Sequence, residues 1–388
     1  MYSGLVLELE CGQDFDPARD ADFFAALPPR PAVFRLEMHS PEARPYLGRT
    51  ADLRRRLKTL LATPEAPSKR LNLREIAARV RYRLTGSPFE QSLTIYQLAV
   101  AAFPHRYREW MRLRPPAMLK LKLASAYPRC YVTRRLRFDG ATYFGPFPSG
   151  RAADSFLNQF LNFYKIRRCQ IRIRRDPTFP GCIYSEMKMC LAPCFAGCSD
   201  EEYTVEVSRV AAFLGSCGAS LATELAKERD AASAALDFER SAGLHKKIEK
   251  VSGVLRSLPD LARNVEELSA VVLAPAAAER TIAVFAVRSG MLDNPFFLPF
   301  GELASEPRSV EAIVREHLEP EIALPDHAAE DRSASAADRL ADHLALLAGW
   351  YYSKPRIGEI LFFERGWPYR RIVRACSRIL TAASAPNP

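Results

Sequence analysis

The chain has 388 residues, of which 48% are hydrophobic and 26% are charged, and its formal net charge is +10. This is the composition of an ordinary globular protein with room for two to four domains, each able to bury its own core. No apolar run approaches the roughly 20 residues that a bilayer span requires, and residues 1–13 lack the basic region of a signal peptide. We therefore expect no membrane segment, no secretory signal and a location in the cytoplasm.

The positive charge is concentrated in one part of the chain. Residues 101–175 contain seventeen Lys or Arg against three Asp or Glu, an excess of fourteen, so the remainder of the chain is mildly acidic. Aromatic residues are interspersed with these basic side chains, a combination typical of surfaces that bind a phosphate backbone and its bases. The pattern predicts nucleic acid as a partner. The alternative is a solvated basic surface, or one that faces an acidic domain of the same protein.

The first hundred or so residues predict a small α/β domain. Leu5–Leu9 has the pattern of an edge strand, and residues 31–36 and 45–49 have the pattern of two strands joined by a short turn. Residues 53–61 follow as an amphipathic helix with three arginines near its start. Residues 69–83 carry apolar side chains at helical spacing between arginines. They predict a basic helix that lies either on a phosphate track or against solvent.

A segment rich in cysteine follows an aromatic helix. Residues 151–164 place aromatic side chains four residues apart, so we expect a helix that faces the core beside the cysteines. Five of the nine cysteines then fall between Cys169 and Cys198. In the cytoplasm, clustered thiols are more often metal ligands or redox groups than disulfides, and four thiolates suit zinc or an iron–sulfur cluster. Spacing alone does not choose the metal, and buried free thiols are the other alternative.

The remainder of the chain predicts a helical segment and then a second α/β region. From Asp200 the pattern is helical, and residues 225–255 form two helices joined near Asp237. The later pattern predicts strands at 268–274, 281–287 and 296–300, a polar linker at 325–337, a helix at 338–350, a strand at 359–363 and a basic helix at 369–378.

Several of these segments, in this order, resemble the UvrC family, the incision subunit of bacterial nucleotide excision repair. Val33-Phe34, Tyr46-Leu47-Gly48 and Leu53-Arg54-Arg55-Arg56-Leu57 resemble its GIY-YIG nuclease domain. Tyr143-Phe144-Gly145-Pro146-Phe147-Pro148-Ser149 is similar to the segment that follows that domain in the family. With the cysteines and a motif near Phe238-Glu239, the resemblance covers residues 31 to about 257.

The resemblance implies a degenerate catalytic site. GIY-YIG chemistry uses a tyrosine pair around the attacking water, an arginine on the scissile phosphate and a glutamate that holds a divalent metal. By register Tyr46 and Arg56 are retained, whereas Phe34 replaces the first tyrosine and Ile95 replaces the glutamate. We therefore expect that hydrolysis is lost. The alternative is an active site that binds Mg²⁺ through Glu90.

The resemblance also implies a cofactor, a partner and a set of DNA contacts. Cys169, Cys182, Cys190 and Cys194 match the four family ligands of an iron–sulfur cluster, with zinc as the alternative. Residues 225–255 resemble the UVR hairpin that docks on UvrB, with contact positions Phe238, Glu239, Ala242, Leu244 and Ile248. The basic side chains expected on DNA are Arg49, Arg54, Arg55, Arg134, Arg135, Lys165, Arg167 and Arg168.

The sequence thus predicts an α+β multidomain protein with four parts. They are a degenerate GIY-YIG-like domain (1–104), a basic linker with a cysteine-bound knuckle (105–200), a UVR-type helical hairpin (201–258) and a small C-terminal α/β domain (259–388). We find no pattern for the ribonuclease-H-like nuclease or the helix-hairpin-helix pair of complete UvrC proteins. The expected function is DNA binding and UvrB docking in excision repair without incision. The alternatives are an active excinuclease subunit and a regulatory scaffold whose cysteines sense metal or redox state.

Overall fold

The computed structural model of the chain describes residues 8–63, 71–303, 307–319 and 334–384. These residues form a mixed α/β structure with three antiparallel sheets, each packed against helices, so the predicted α+β class is confirmed. Within the described ranges, no helix is both long enough and apolar enough to cross a membrane.

The N-terminal sheet has the strand order β1-β4-β2-β3. Its strands are β1 (Cys11–Asp14), β2 (Ala32–Met38), β3 (Tyr46–Thr50) and β4 (Ala77–Leu84). One face, which includes Phe34 and Leu36, packs against helices α1 (Asp20–Ala26) and α2 (Leu53–Leu61). Side chains alternate between the two faces of a strand, so Val33 and Leu47 point to the opposite face.

Helix α3 (Pro88–Ala102) covers that opposite face, and the short helix α4 (Tyr107–Met111) follows it. Ile95 and Leu98 of α3 pack with Val33 and Leu47 of the N-terminal sheet. The other side of α3 carries Phe89, Leu93 and Tyr96, which belong to a second core shared with the rest of the molecule. Helix α3 is apolar on both sides because it lies between two cores.

The middle sheet has the order β6-β5-β7-β8. Its strands are β5 (Ala117–Leu121), β6 (Cys130–Thr133), β7 (Thr142–Phe147) and β8 (Arg263–Asn264). Helix α5 (Gly150–Phe160) packs on it, followed by α6 (Ile183–Glu186), α7 (Asp200–Gly215), α8 (Ala219–Ala234) and α9 (Phe238–Arg256). The aromatic stripe of α5 is buried as predicted, and its neighbours are the sheet and Phe213 of α7.

The C-terminal sheet has the order β11-β10-β9-β13, and β12 also pairs with β10. Its strands are β9 (Ala270–Pro275), β10 (Thr281–Arg288), β11 (Met291–Leu292), β12 (Phe296–Pro299) and β13 (Glu359–Phe362). Helix α10 (Phe300–Leu303) follows β12. Helix α12 (Ala334–Tyr351) covers one face, and α11 (Val310–Leu318) and α13 (Tyr369–Ser384) cover the other.

Two predicted elements differ from the structure. The helix predicted at residues 69–83 is wrong, because residues 71–76 form no helix and residues 77–84 form β4 in the interior of the N-terminal sheet. Apolar Val80, Tyr82 and Leu84 alternate with arginines there, and this period of two prevails once neighbouring strands pair. The edge strand of the sheet is Cys11–Asp14, and residues 8 and 9 of the predicted strand Leu5–Leu9 do not belong to it.

Other predicted segments lie wholly or partly outside the described residues. They are residues 5–7 of the predicted first strand, residues 69 and 70 of the predicted basic helix, and most of the predicted polar linker at 325–337. The end of that linker, residues 334–337, belongs to α12.

Candidate functional site

Tyr46, Arg56 and Phe34 lie together on the α2 side of the N-terminal sheet. Nη2 of Arg56 donates a hydrogen bond of 2.8 Å to the Tyr46 hydroxyl. The ring of Phe34 lies 6.1 Å from that of Tyr46 and is fully buried. Gly48 is the cross-strand partner of Phe34, and a Cβ there would lie 2.5 Å from the Phe34 ring. The glycine of the YLG triplet therefore makes room for this phenyl ring.

The structure does not place Ile95 beside this pair. Its side chain is 3% exposed and belongs to the apolar cluster of Val33 and Leu47. These two strand residues point away from the face that carries Phe34 and Tyr46. An alkyl side chain also offers no ligand atom to a metal, so Ile95 serves as a packing residue.

Glu90 has a structural environment of its own. It is 1% exposed, Oε2 accepts a hydrogen bond of 2.9 Å from the Gly86 amide, and Oε1 lies 3.8 Å from Nε of Arg83. Burial raises the pKa of this carboxyl group, partly offset by the Gly86 amide and by Arg83. These contacts hold the start of α3 and do not include Tyr46 or Arg56.

Four of the five clustered cysteines influence one another electrostatically. Burial, together with the neighbouring Cys169, Cys194 and Cys182, raises the pKa of the Cys190 thiol to about 11. The pKa of Cys194 is raised by burial and also by Cys182 and Cys169. A thiolate at one position thus disfavours a thiolate at the next, and a bound cation would remove that repulsion. Cys198 is buried beside Cys194 and Glu202.

The donor chemistry of this cluster fits a soft metal centre, whereas the side-chain geometry is not that of a ligand shell. In the part of the chain that the structure describes, no three His, Cys, Asp or Glu side chains are arranged to hold a metal ion. The thiols are therefore gathered, but they do not converge on one point.

The basic residues predicted to bind DNA fall into two groups. The first group bonds within the protein. Arg54 donates 2.7 Å and 3.1 Å bonds to the carbonyls of Leu27 and Ala25, and Arg167 donates to the Tyr127 carbonyl at 2.8 Å. Arg49 bonds Ser92 and Arg168 bonds Asn162. The second group has exposed side chains and comprises Arg55, Arg135 and Lys165. Arg134 is exposed as well, and it donates a 2.8 Å bond to the Pro115 carbonyl.

The residues predicted to bind a partner at the α8–α9 turn include both exposed and buried side chains. Phe238 is 68% exposed, and neighbouring Leu236 is exposed as well. Glu239 and Ala242 are exposed on the same helix, whereas Leu244 is buried and Ile248 packs against the core. The Asp237 carboxylate caps α9 by accepting a 3.0 Å bond from the Arg240 amide. The turn therefore presents an apolar tip.

One polar cluster was not predicted from the sequence. Asp342 of α12 is 1% exposed and accepts bonds of 2.6 Å from the Tyr107 hydroxyl and 2.8 Å from Nε of Arg108. It joins α4 to the C-terminal region across more than two hundred residues of sequence, and no local pattern could have indicated the pairing.

Comparison with known proteins points to one family. The model for the middle domain of the UvrC/Cho excinucleases matches residues 117–213, from β5 to α7. This domain match and the relatives described next support membership of the UvrC family. UvrABC system protein C of Ruminiclostridium cellulolyticum is 32% identical over 187 residues, which is 47% of this chain and 30% of that protein. The corresponding protein of Moorella thermoacetica is 26% identical over 331 residues, covering 84% of this chain and 53% of that protein.

The chain thus spans about half the length, or less, of these relatives. UvrABC system protein C of Alcanivorax borkumensis, 28% identical over 255 residues, is likewise matched over 62% of this chain and 39% of its own length. No solved structure matches the chain.

Proposed function

We propose that this chain acts in nucleotide excision repair by binding DNA and docking on a UvrB-type partner, without incising DNA at its N-terminal site. The names of its relatives place them in the UvrABC system. The basic excess of residues 101–175 supports the DNA partner.

The observation that carries the absence of incision is the pair of substitutions at Phe34 and Ile95. Phe34 has no hydroxyl to orient water, and Ile95 supplies no metal ligand from within its apolar cluster. A phosphodiesterase of this class needs a metal to stabilise the charge that develops on the phosphate. The hydrogen-bonded Tyr46–Arg56 pair keeps the capacity to contact a phosphate.

The apolar tip of the hairpin is the proposed docking site for the UvrB-type partner. We expect Phe238→Ala to weaken binding to that partner about tenfold or more, because exposed aromatic side chains dominate such contacts. The melting temperature should not change, since the ring has few contacts to lose. Titration calorimetry with the purified partner measures both affinity and stoichiometry.

A matched control is Ile183→Ala, which removes an equally exposed apolar side chain from α6 rather than from the hairpin. Its binding should equal that of the natural chain. Equal affinities for the Phe238 variant and the natural chain would refute docking through this tip.

For the cysteines we infer an iron–sulfur cluster held by Cys169, Cys182, Cys190 and Cys194, with zinc as the alternative metal. The donor chemistry supports it, because four cysteine side chains within one loop-rich segment are ligands that soft metals prefer. When bound, the group would cross-link a loop-rich segment that has little core of its own.

Elemental analysis and visible absorption of anaerobically purified protein test this cofactor. Cys190→Ser should lose the metal, whereas Cys198→Ser should keep it, because Cys198 is not in the inferred ligand set. Iron with visible absorption identifies the cluster, and zinc without absorption identifies the alternative. Protein that stays metal-free after reconstitution, or equal loss in both variants, would show that the inference is wrong.

A further inference from the structure

A cleft of about 260 Å³ lies at one end of the middle sheet, against helix α12. Its walls include Arg114, Arg134, Phe147, Pro148 and Tyr352, and no acidic side chain lines it. The hydroxyl of Tyr352 donates a 2.8 Å bond to the Pro146 carbonyl, so the C-terminal end of α12 is tied to strand β7. The cleft is thus built between two parts of the chain that are joined directly.

Strand pairing brings several arginines to this end of the sheet. Ala117, at the start of β5, pairs with Phe147, at the end of β7, and the next residue of β5 pairs with Thr133, at the end of β6. The segments that lead into β5 and out of β6 and β7 therefore emerge side by side. They carry five exposed arginines, namely Arg112, Arg114, Arg134, Arg135 and Arg151.

These arginines differ from other basic residues of the same region. Lys120 lies 2.7 Å from the Asp139 carboxylate, Arg175 lies 2.7 Å from Asp200, and Arg108 bonds Asp342. By contrast, none of the five arginines forms an ion pair with a carboxylate in the described ranges. Five arginine side chains without a carboxylate partner among the described residues therefore lie at this end of the sheet, and two of them, Arg114 and Arg134, line the cleft.

The guanidinium of Arg134 is held in place. Its Nη1 donates a 2.8 Å bond to the Pro115 carbonyl, and a Cβ built on Gly150 would lie 3.7 Å from its Nη2. Gly150 begins α5, whose first turn contains no acidic residue and includes Arg151. The positive N-terminal end of the α5 dipole repels the Arg134 guanidinium. An anion bound between the guanidinium and the helix end would be attracted by both.

We propose that this cleft binds a phosphate group through Arg114 and Arg134. A guanidinium offers two parallel donors to phosphate oxygens, and two guanidinium groups lining one cleft can bind the same phosphate. The proposal rests on the proposed function in one respect, because we assign the phosphate to a DNA backbone. Free inorganic phosphate has the same chemistry and is the other possible source.

The test measures binding of a fluorescently labelled DNA duplex to the full chain over a series of salt concentrations. We expect Arg114→Gln/Arg134→Gln to weaken binding about tenfold or more at low salt. The slope of log affinity against log salt should fall by about one, since one lost phosphate contact removes about 0.9. The control is Arg370→Gln/Arg374→Gln, which removes the same charge from exposed positions on α13. That helix packs on the face of the C-terminal sheet opposite to α12.

A second arm titrates inorganic phosphate and follows the melting temperature at constant ionic strength. Phosphate should stabilise the natural chain more than the Arg114/Arg134 variant. The single variant Arg114→Gln keeps the test interpretable if the double variant fails to fold, because its side chain makes no hydrogen bond within the described ranges.

The outcomes separate this site from the proposed function. If the cleft variant loses both DNA affinity and stabilisation by inorganic phosphate, the proposal is supported. If it loses only the stabilisation by phosphate, the site is supported but its assignment to DNA is overturned. If the natural chain binds DNA and the cleft variant matches the control in both arms, the site is wrong and the proposed function stands. If the natural chain binds no DNA, the proposed function fails and the phosphate arm alone decides the site.

Discussion

His343 of α12 is a partly buried histidine that faces helix α3. Its Nδ1 accepts a 3.0 Å hydrogen bond from the Leu292 amide, so the neutral ring carries its proton on Nε2. The ring packs edge-on against Tyr96 of α3. Burial, together with the nearby Arg339, lowers the pKa of His343 to about 4. Protonation would cost both the desolvation of a charge and the bond from Leu292.

This histidine should make the fold sensitive to mild acid. Between the unfolded pKa of 6.5 and the folded pKa of about 4, the unfolded state binds more protons, so stability is complete above that window and falls as pH decreases. We expect a loss of about 2 kcal/mol in the free energy of unfolding on going from about pH 7 to about pH 5. Urea denaturation at a series of pH values measures it.

The comparison variant is His343→Gln, whose side-chain oxygen can still accept from Leu292 but does not titrate. Its stability should decline less over the same range. Parallel declines for the two proteins would mean that His343 does not carry this pH dependence.

Residue identities at the nuclease-like site could be predicted from the sequence, but their positions could not. Register with the family motif gives Tyr46, Arg56, Phe34 and Ile95, and the structure brings the first three together. That Ile95 packs with Val33 and Leu47 depends on which face of the sheet α3 covers. Sequence spacing within one helix does not contain that information.

At the scale of elements, secondary structure is predicted best where the apolar pattern fits only a helix or only a strand. The runs that become β9 and β10 are nearly continuous in β-branched and small apolar residues, and both strands form close to their expected bounds. Residues 69–83 fit two patterns, because Val80 continues the helical spacing of Ile76 and Ala77 and also begins the alternation with Tyr82 and Leu84. Pairing with β1 and β2 selects the strand, and that choice is made by distant residues.

The bond between α4 and α12 should contribute strongly to stability. We expect Asp342→Ala to lower the free energy of unfolding by about 3 kcal/mol, because it leaves the Arg108 guanidinium without its buried partner. Asp342 also holds the pKa of Arg108 above its usual value. Thermal and urea denaturation measure the loss.

Asp338 is the matched control on the same helix. Its carboxylate also lies near Arg108, at 3.1 Å, but 60% of its side chain is exposed. Asp338→Ala should therefore cost less than about 1 kcal/mol. Equal effects of the two variants would show that burial at Asp342 gives no special stability.

At the scale of the whole molecule, helix α3 connects the N-terminal sheet to the remainder of the chain. One side packs on Val33 and Leu47, and the other contributes Phe89 and Tyr96 to a core that includes the C-terminal sheet and α12. The helix that should carry the metal-binding glutamate of a nuclease is thus embedded in apolar packing. Composition and motif order indicated several domains, but not that they share this helix.

The most direct test of the account is incision of a site-specifically damaged duplex loaded with UvrA and UvrB, in Mg²⁺ or Mn²⁺. The natural chain is compared with Arg56→Ala, which removes the retained arginine and exposes any contaminating nuclease. We predict that the natural chain binds the loaded duplex and produces no more nicked product than the Arg56 variant. Metal-dependent nicking by the natural chain that disappears in Arg56→Ala would contradict the account and establish a working nuclease at this site.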